Sequence, residues 1–351
     1  MKSCLLDLKI EELSDVVLSL SEKSFRAKQI FTALHSGLDF SEMTELSLPL
    51  RTKLAEKFIA QPVKIIKSLK SADGTEKYLF SLSDGNVIEG VKMEYKYGFT
   101  LCVSTQVGCR MNCAFCASGL NGLIRNLTAG EILGEVICVN RYLGGGLKDK
   151  RKITNVVLMG SGEPLDNYDN VVKFLKLLSD KNGINVSPRN VSLSTSGLVP
   201  SMKKLADENL PVNLTVSLHA SNDEIRKTIM PVAKTYKISE LLDACSYYFD
   251  KTGRRYIFEY VLIKGVNDGE KHAAELSDLL KGKPCHVNVI RLNDVKEKNL
   301  QGVSEKDAYR FVGLLTKNGL SATLRRSMGA DIEGACGQLR RRYIENDKNF
   351  I

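Results

Sequence analysis

Alternation of strand-like and helix-like segments over residues 97–351 predicts an α/β fold, and three observations specify its form. Six apolar runs of strand length are separated by amphipathic stretches long enough for a helix. A helical segment precedes them, and between the two the hydrophobic period drops to two. Parallel strands joined by right-handed crossovers are the ordinary outcome of such alternation. A closed or partly closed β/α barrel accommodates it, with ligands at the C-terminal strand ends; a flat doubly wound sheet is the alternative.

Residues 1–60 read as a small helical accessory domain. IEELSDVVLSL places apolar residues three and four apart. SFRAKQIFTALHSG opens on Ser24 as an N-cap and stops at Gly37, and LPLRTKLAEKFIA starts near Pro49, a first-turn proline. Basic side chains lie between the apolar positions, and the three short helices suggest an accessory module. Residues 61–96 alternate in KIIKSLKSADGTEKYLFSLSDGNVIEGVKME, and the turns ADG and SDGN divide them into a β-meander linking the two parts.

The strands of residues 97–351 are FTLCVST, ITNVVLMG, NVSLSTSG, PVNLTVSLHA, RRYIFEYVLI and CHVNVIRLN. Between the first two lies TAGEILGEVICVNRYLGGG, opened by a capping box from Thr128 to Glu131 and closed by glycines.

Composition narrows the class. No apolar run approaches the ~18–20 residues that span a bilayer, and the acid-broken N-terminus lacks the form of a signal peptide, so a cytoplasmic protein is expected. Nine cysteines in such a chain read as thiols, metal ligands or catalysts rather than staples. Cys4, Cys138, Cys245 and Cys285 sit in apolar or mixed surroundings and read as packed side chains. A net charge of +9, with basic runs at Lys148 to Lys152, Arg254–Arg255, Arg325–Arg326 and Arg340 to Arg342, suits a polyanionic partner. It suits plain solubility equally well.

The strand ends carry the chemistry: QVGCRMNCAFC, GSGEP, STSG, SLHA and RLN all fall where a barrel would converge them. Cys109, Cys113 and Cys116 are spaced to wrap an iron–sulfur cluster through three of its irons, leaving the fourth open to chelate an amino acid. A zinc knuckle or a reactive dithiol is the alternative, although no fourth ligand follows before the mid-helix Cys138.

CRMNCAFC resembles the signature of radical S-adenosylmethionine (SAM) enzymes, and GSGEP resembles their glycine–glutamate motif. IEGV at 88–91, LCVSTQVGC, MGADIEGACGQLRRR and the SFRAKQIF…LPLRTKL segment together resemble the RNA adenine methyltransferases of the RlmN/Cfr family, over nearly the whole chain. That resemblance implies a partial (β/α)6 radical SAM barrel holding one 4Fe-4S cluster on Cys109, Cys113 and Cys116. It implies SAM contacts at Gly162, Glu163, Ser194, Ser217, Leu218, His219 and Asn293. The family often follows this Asn with Pro, whereas Asp294 stands here, which changes the expected loop.

It further implies that Cys336 takes a methyl group from a first SAM and that a second SAM generates a radical on it. The carbon radical then adds to adenine, Glu89 removes the proton from carbon 2, and Cys102 resolves the adduct by forming a disulfide with Cys336. Cys336 suits its role on local grounds: a helix start near Gly337 and three following arginines favour a thiolate. The implied partners are 23S ribosomal RNA, tRNA and a one-electron reductant of flavodoxin or ferredoxin type, with a monomer and no membrane. LRRRY and SGLNGLIRNLT resemble the RlmN branch, carbon 2 of adenine, more than the Cfr branch, carbon 8.

Overall fold

The periodic N-terminal stretches fold as α1 (Ile10–Ser19), α2 (Phe25–His35) and α3 (Leu48–Lys57), bracketed by the parallel pair β1 (Ser3–Cys4) and β2 (Phe58–Ile59). A computed structural model describes residues 2–147, 150–292 and 299–332. Pro49 lies in the first turn of α3, where a missing N–H breaks no helical bond. Ser24 precedes α2 but has helical backbone and makes no side-chain cap, so that helix begins without the bond its sequence promises. Leu13, Val17, Ile30, Phe31, Leu34, Leu50 and Leu54 are buried in the same apolar core as the rest of the molecule.

His35 seals the seam between this module and the barrel. It is fully buried, and its Nδ1 accepts from the Ile184 N–H at 3.4 Å. Burial pushes the imidazole down from 6.5 to about 4. Because the folded value lies below the unfolded one, the stabilisation is complete above pH 6.5 and is lost as pH falls toward 4. Thermal melts should therefore show stability falling across that window, by on the order of 3 kcal/mol from this group. His35→Gln should remove its share of the slope, and an unchanged slope would count against the neutral, buried imidazole.

The meander forms β3 (Val63–Lys70), β4 (Glu76–Leu82) and β5 (Val87–Tyr95), turning at Gly74 and Gly85, each with φ +84°. These strands are continuous with the barrel sheet, because β5 pairs antiparallel with β6 (Gly98–Cys102). After β6 come the hairpin β7 (Gln106–Gly108) and β8 (Leu123–Asn126), then α4 (Ala129–Tyr142), capped by Thr128 and Glu131 in both directions. The alternation follows as β9 (Ile153–Leu158), α5 (Tyr168–Leu178), β10 (Val191–Thr195), α6 (Val199–Asp207) and β11 (Asn213–Ser217). Two helices, α7 (Asp223–Ile229) and α8 (Ile238–Thr252), lead to β12 (Tyr256–Leu262), α9 (Glu270–Leu280), β13 (Cys285–Arg291), α10 (Glu305–Lys317) and β14 (Ala322–Leu324).

All ten strands from β3 to β14, the β7–β8 hairpin aside, form one sheet in the order β14-β13-β12-β11-β10-β9-β6-β5-β4-β3. From β6 to β14 every pairing is parallel, which gives the six expected βα units and one further short strand at the edge. One face is apolar and packed under the helices: Val156, Leu158, Leu193, Leu214, Val216, Phe258, Tyr260, Val287 and Val289 are buried there. Alternation turns polar residues to the other face, where the register sets Ser194 opposite Thr215, Ser217 opposite Glu259 and Glu259 opposite Asn288. The inner surface therefore carries polar residues beside Val157, Ile257, Val261 and Ile290. Among the described residues no helix is long and apolar enough to cross a membrane.

Candidate active site at the barrel mouth

Cys109, Cys113 and Cys116 sit at the tip of the β7–β8 hairpin. Cys109 donates its N–H to Gly122 at 3.0 Å, Asn112 turns the chain with φ +48°, and the Cys116 N–H closes on the Cys113 carbonyl at 3.2 Å. The Ala114 N–H donates to Ile229 at 2.8 Å, which fastens the loop to the end of α7. Cys109 and Cys113 are buried and Cys116 half-buried. Burial pushes the Cys109 thiol up to about 12, with Cys116, Glu163 and Asp166 adding to it. Burial likewise raises Cys113, reinforced by the other two sulfurs.

Three thiols close enough to oppose one another's ionisation fit a cationic centre that would reverse that balance. Among the described residues no three His, Cys, Asp or Glu side chains converge as the ligands of a single ion do. An iron–sulfur cluster takes each thiolate on a separate iron and so needs no convergence of the three on one ion. The donor set therefore fits an iron–sulfur centre better than a mononuclear zinc.

Beneath the loop, the strand-end turns are packed tightly. A Cβ at Gly160 would meet the Val103 carbonyl at 2.6 Å, and Gly162, at φ +112°, lies so close to Thr105 and Gln106 that a Cβ would fall 2.7 Å from each. Glu163 is fully buried, and burial raises its carboxyl. It accepts from the Ser196 N–H at 2.6 Å and the Leu165 N–H at 3.0 Å, tying the turn after β9 to the turn after β10. Ser194 donates to Glu259 at 3.3 Å, and Arg325 pairs with the other Glu259 oxygen at 2.9 Å.

The Leu218 and His219 N–H groups both donate to the Glu259 carbonyl at 3.1 Å, just beyond Ser217 at the end of β11. His219 has φ +55°, and its Nδ1 accepts from the Val261 N–H at 3.0 Å. Burial lowers its imidazole to about 3, so the ring is neutral at physiological pH. Its edge meets Phe115 of the cysteine loop, with centroids 4.7 Å apart. Arg226 of α7 is wholly buried below the same loop.

Glu89 and Cys102 lie on the adjoining strands. Cys102 is opposite Val91, so Glu89 stands two positions further along the same face of β5. Its carboxylate is buried and pairs with Lys77 of β4 at 3.2 Å; the Lys77 side chain has no exposed surface. Ser104 links this corner to the glycine turn, donating to the Glu89 carbonyl at 2.8 Å and accepting from the Ser161 N–H at 3.0 Å. Cys102 is buried against Val91 and Met93, with Val157, Met159 and Met328 packed around them.

Met328 belongs to a strap that leaves β14 and crosses to the β3–β4 turn. There the Gly329 N–H donates to Asp73 at 2.9 Å and the Ala72 N–H donates to Asp331 at 3.1 Å. Asn293 and Cys336 lie outside the described residues. Cys245 and Cys285 are buried and Cys4 and Cys138 half-buried, all four with thiols raised chiefly by burial.

Lys77, Arg226 and Glu259 were not singled out by sequence reasoning. The available signal was a charge in an apolar strand for Glu259, in YIFEYVLI, and for Lys77, in EKYLF. Arg226 stands among the charges of DEIRK and reads there as solvated.

The sequence matches the family model for the ribosomal RNA large subunit methyltransferase N-terminal domain over residues 4–60, and that for the radical SAM superfamily over residues 103–277. It is 53% identical over 344 residues to a protein of Alkaliphilus oremlandii named "Probable dual-specificity RNA methyltransferase RlmN", covering 97% of this chain and 98% of that one. Relatives of the same name are 52% identical in Clostridium perfringens, covering 97% and 98%, and 48% identical in Lachnospira eligens, covering 97% and 96%. A radical SAM methyltransferase from Sphaerobacter thermophilus superposes with a TM-score of 0.91 at 42% identity, covering 96% of this chain and 98% of that one.

Proposed function

The chain belongs to the RlmN family of radical SAM RNA methyltransferases, and from that premise we propose that it methylates carbon 2 of an adenosine in the peptidyl-transferase region of 23S rRNA. The tRNA adenosine 3′ of the anticodon is its second substrate. The observation carrying this reading is that the base of the cysteine hairpin, the glycine turn and the Glu89 strand are tied together at one mouth of the barrel: Thr105 and Gln106 donate their N–H groups to the Ser161 carbonyl, and Ser104 bridges Ser161 and Glu89.

In this reading Cys109, Cys113 and Cys116 hold the cluster, while Gly162, Glu163, Ser194, Ser217, Leu218, His219 and Asn293 cradle SAM. Glycine turns let backbone groups approach a ligand, and hydroxyl and amide side chains bond its ribose and carboxylate. Bound there, the cluster and SAM supply a 5′-deoxyadenosyl radical, the one-electron chemistry that an amidine carbon without nucleophilic character requires. Cys336 carries the methyl group as S-methylcysteine and becomes linked to the base through the same carbon. Glu89 takes the proton from carbon 2, its carboxylate aimed by Lys77. Once the adduct has given up its unpaired electron, for which the iron–sulfur centre would be the acceptor, Cys102 attacks the Cys336 sulfur; the carbon–sulfur bond breaks, its electron pair stays with the carbon, that carbon takes up a proton to become the methyl group, and the base leaves as a disulfide forms. The enzyme acts as a monomer supplied with electrons by a flavodoxin or ferredoxin type of protein.

The test is anaerobic purification followed by assay on protein-free 23S RNA and tRNA. Iron and sulfide near four each per chain, and 2-methyladenosine by mass spectrometry of the digested RNA, are expected. An 8-methyl product would assign the Cfr chemistry instead, and stoichiometric zinc without iron would overturn the enzyme reading. Folded ribosomes should be poor substrates, since a stacked base must first be extruded.

A further inference from the structure

Arg226 is a buried cation whose hydrogen bonds, among the described residues, reach no anion. No part of it is exposed to solvent. Its Nε donates to the Leu218 carbonyl at 3.2 Å, and its Nη2 donates to those of Ser196 at 2.7 Å and Ser217 at 3.2 Å. All three carbonyls lie in the strand-end turns that floor the site. Of the two acids just before it in sequence, Glu224 is exposed and Asp223, which attracts the guanidinium from a distance, accepts from the Ile238 N–H at 2.8 Å; among the described residues neither forms a salt bridge with Arg226. Carbonyl dipoles satisfy its donors but do not cancel its charge, and an unbalanced charge in the interior is strongly unfavourable. A guanidinium stays protonated at neutral pH even when buried.

The helix bearing Arg226 also holds the cysteine loop. Ile229 accepts from the Ala114 N–H, and Ile229 and Met230 pack against Cys113. The cation and the thiol loop are thus mounted on one another.

We propose that the Arg226 guanidinium is the internal counter-charge of the iron–sulfur centre and raises its reduction potential. This rests on the assignment of the cluster to Cys109, Cys113 and Cys116. Three thiolates make such a centre anionic overall, and reduction adds one more negative charge. A fixed cation in a low-dielectric interior stabilises the reduced form more than the oxidised one. Sulfonium reduction calls for a strongly reducing centre, so the cation also limits how far the potential falls and how readily a protein donor can fill it. Arg226 is a positioning and tuning residue; it need not touch SAM or RNA.

The experiment is a redox titration, followed by electron paramagnetic resonance, of the full chain reconstituted anaerobically as wild type, Arg226→Gln and Arg226→Lys. The glutamine variant keeps two donors for the carbonyls and loses the charge. Its one-electron reduction equilibrium should fall at least tenfold, a midpoint lower by about 59 mV. The lysine variant should stay within about half that shift of wild type. A loaded glutamine variant with an unchanged midpoint overturns the proposal, as does a lysine variant that falls by the tenfold criterion. If the glutamine variant does not fold, the lysine variant decides by the same criterion. If neither takes up a cluster, Arg226 serves to build the loop and the proposal is likewise overturned. Wild-type protein without iron and sulfide would instead sink the assignment of the cluster.

Discussion

Cys102→Ala protein is expected to purify with RNA covalently attached and to lose multiple turnover by at least two orders of magnitude. The substitution removes one sulfur from a small apolar cluster with Val91 and Met93, so its effect on folding should be about 1 kcal/mol. Cys102 ends β6 and belongs to neither the cysteine loop nor the Glu163 turn. Cluster loading and the first, protein-methylating step should therefore survive. Resolution alone fails, because the linked carbon can leave Cys336 only when a second sulfur accepts the disulfide bond. The attached nucleic acid would be read by its absorbance in denatured protein and by mass spectrometry of the digested adduct. A Cys102→Ala protein that turns over normally and is free of RNA removes Cys102 from the reaction.

The same corner shows what sequence patterns can convey. Alternation in LCVST and IEGVKME gives strands, and spacing gives a three-thiol loop, because both depend on neighbours in the chain. The six long strands, the Thr128–Glu131 capping box and the glycine turns at 74 and 85 are local features of that kind. The pairing of β5 with β6 is not. It places Glu89 two positions past the residue facing Cys102, and thirteen residues of sequence separation carry no hint of that proximity. Lys77 is further still: its partner Glu89 is reached only across the β4–β5 register. Likewise β14, at three residues, has too few positions to show any period, yet it delivers Arg325 to Glu259.

Charges deceived in a consistent direction. In DEIRKTIM the helix α7 carries four charged residues in a row of five, the usual mark of a solvated surface, and the one that is buried is Arg226. Helical period cannot reveal that its inner face meets open strand ends, whose carbonyls accept what an apolar core would refuse. The two aspartates of ADG and GAD are a further case. Asp73 belongs to a turn signal and Asp331 to a family motif, yet together they anchor the C-terminal strap at the β3–β4 turn.

That strap gives Cys336→Ala its expected outcome: wild-type iron and sulfide, an intact fold, no methylated adenosine, and no adduct even when combined with Cys102→Ala. Asp331 is fixed at Ala72, and Met328 packs at Cys102. Cys336 follows Asp331 by five residues, a tether of at most about 18 Å even if fully extended. That reach is long enough for the proposed meeting of Cys336 with Cys102, and neither residue belongs to the hairpin that carries the cluster ligands. Loss of Cys336 should then separate the two halves of the chemistry, leaving reductive SAM cleavage measurable as 5′-deoxyadenosine while transfer to RNA falls to background. The double variant is the sharper arm, because an adduct in its presence would require another residue to carry the methyl carbon. Retained methylation by Cys336→Ala would exclude a cysteine relay and force direct addition to the base, a route for which Glu89 and Cys102 would have no use.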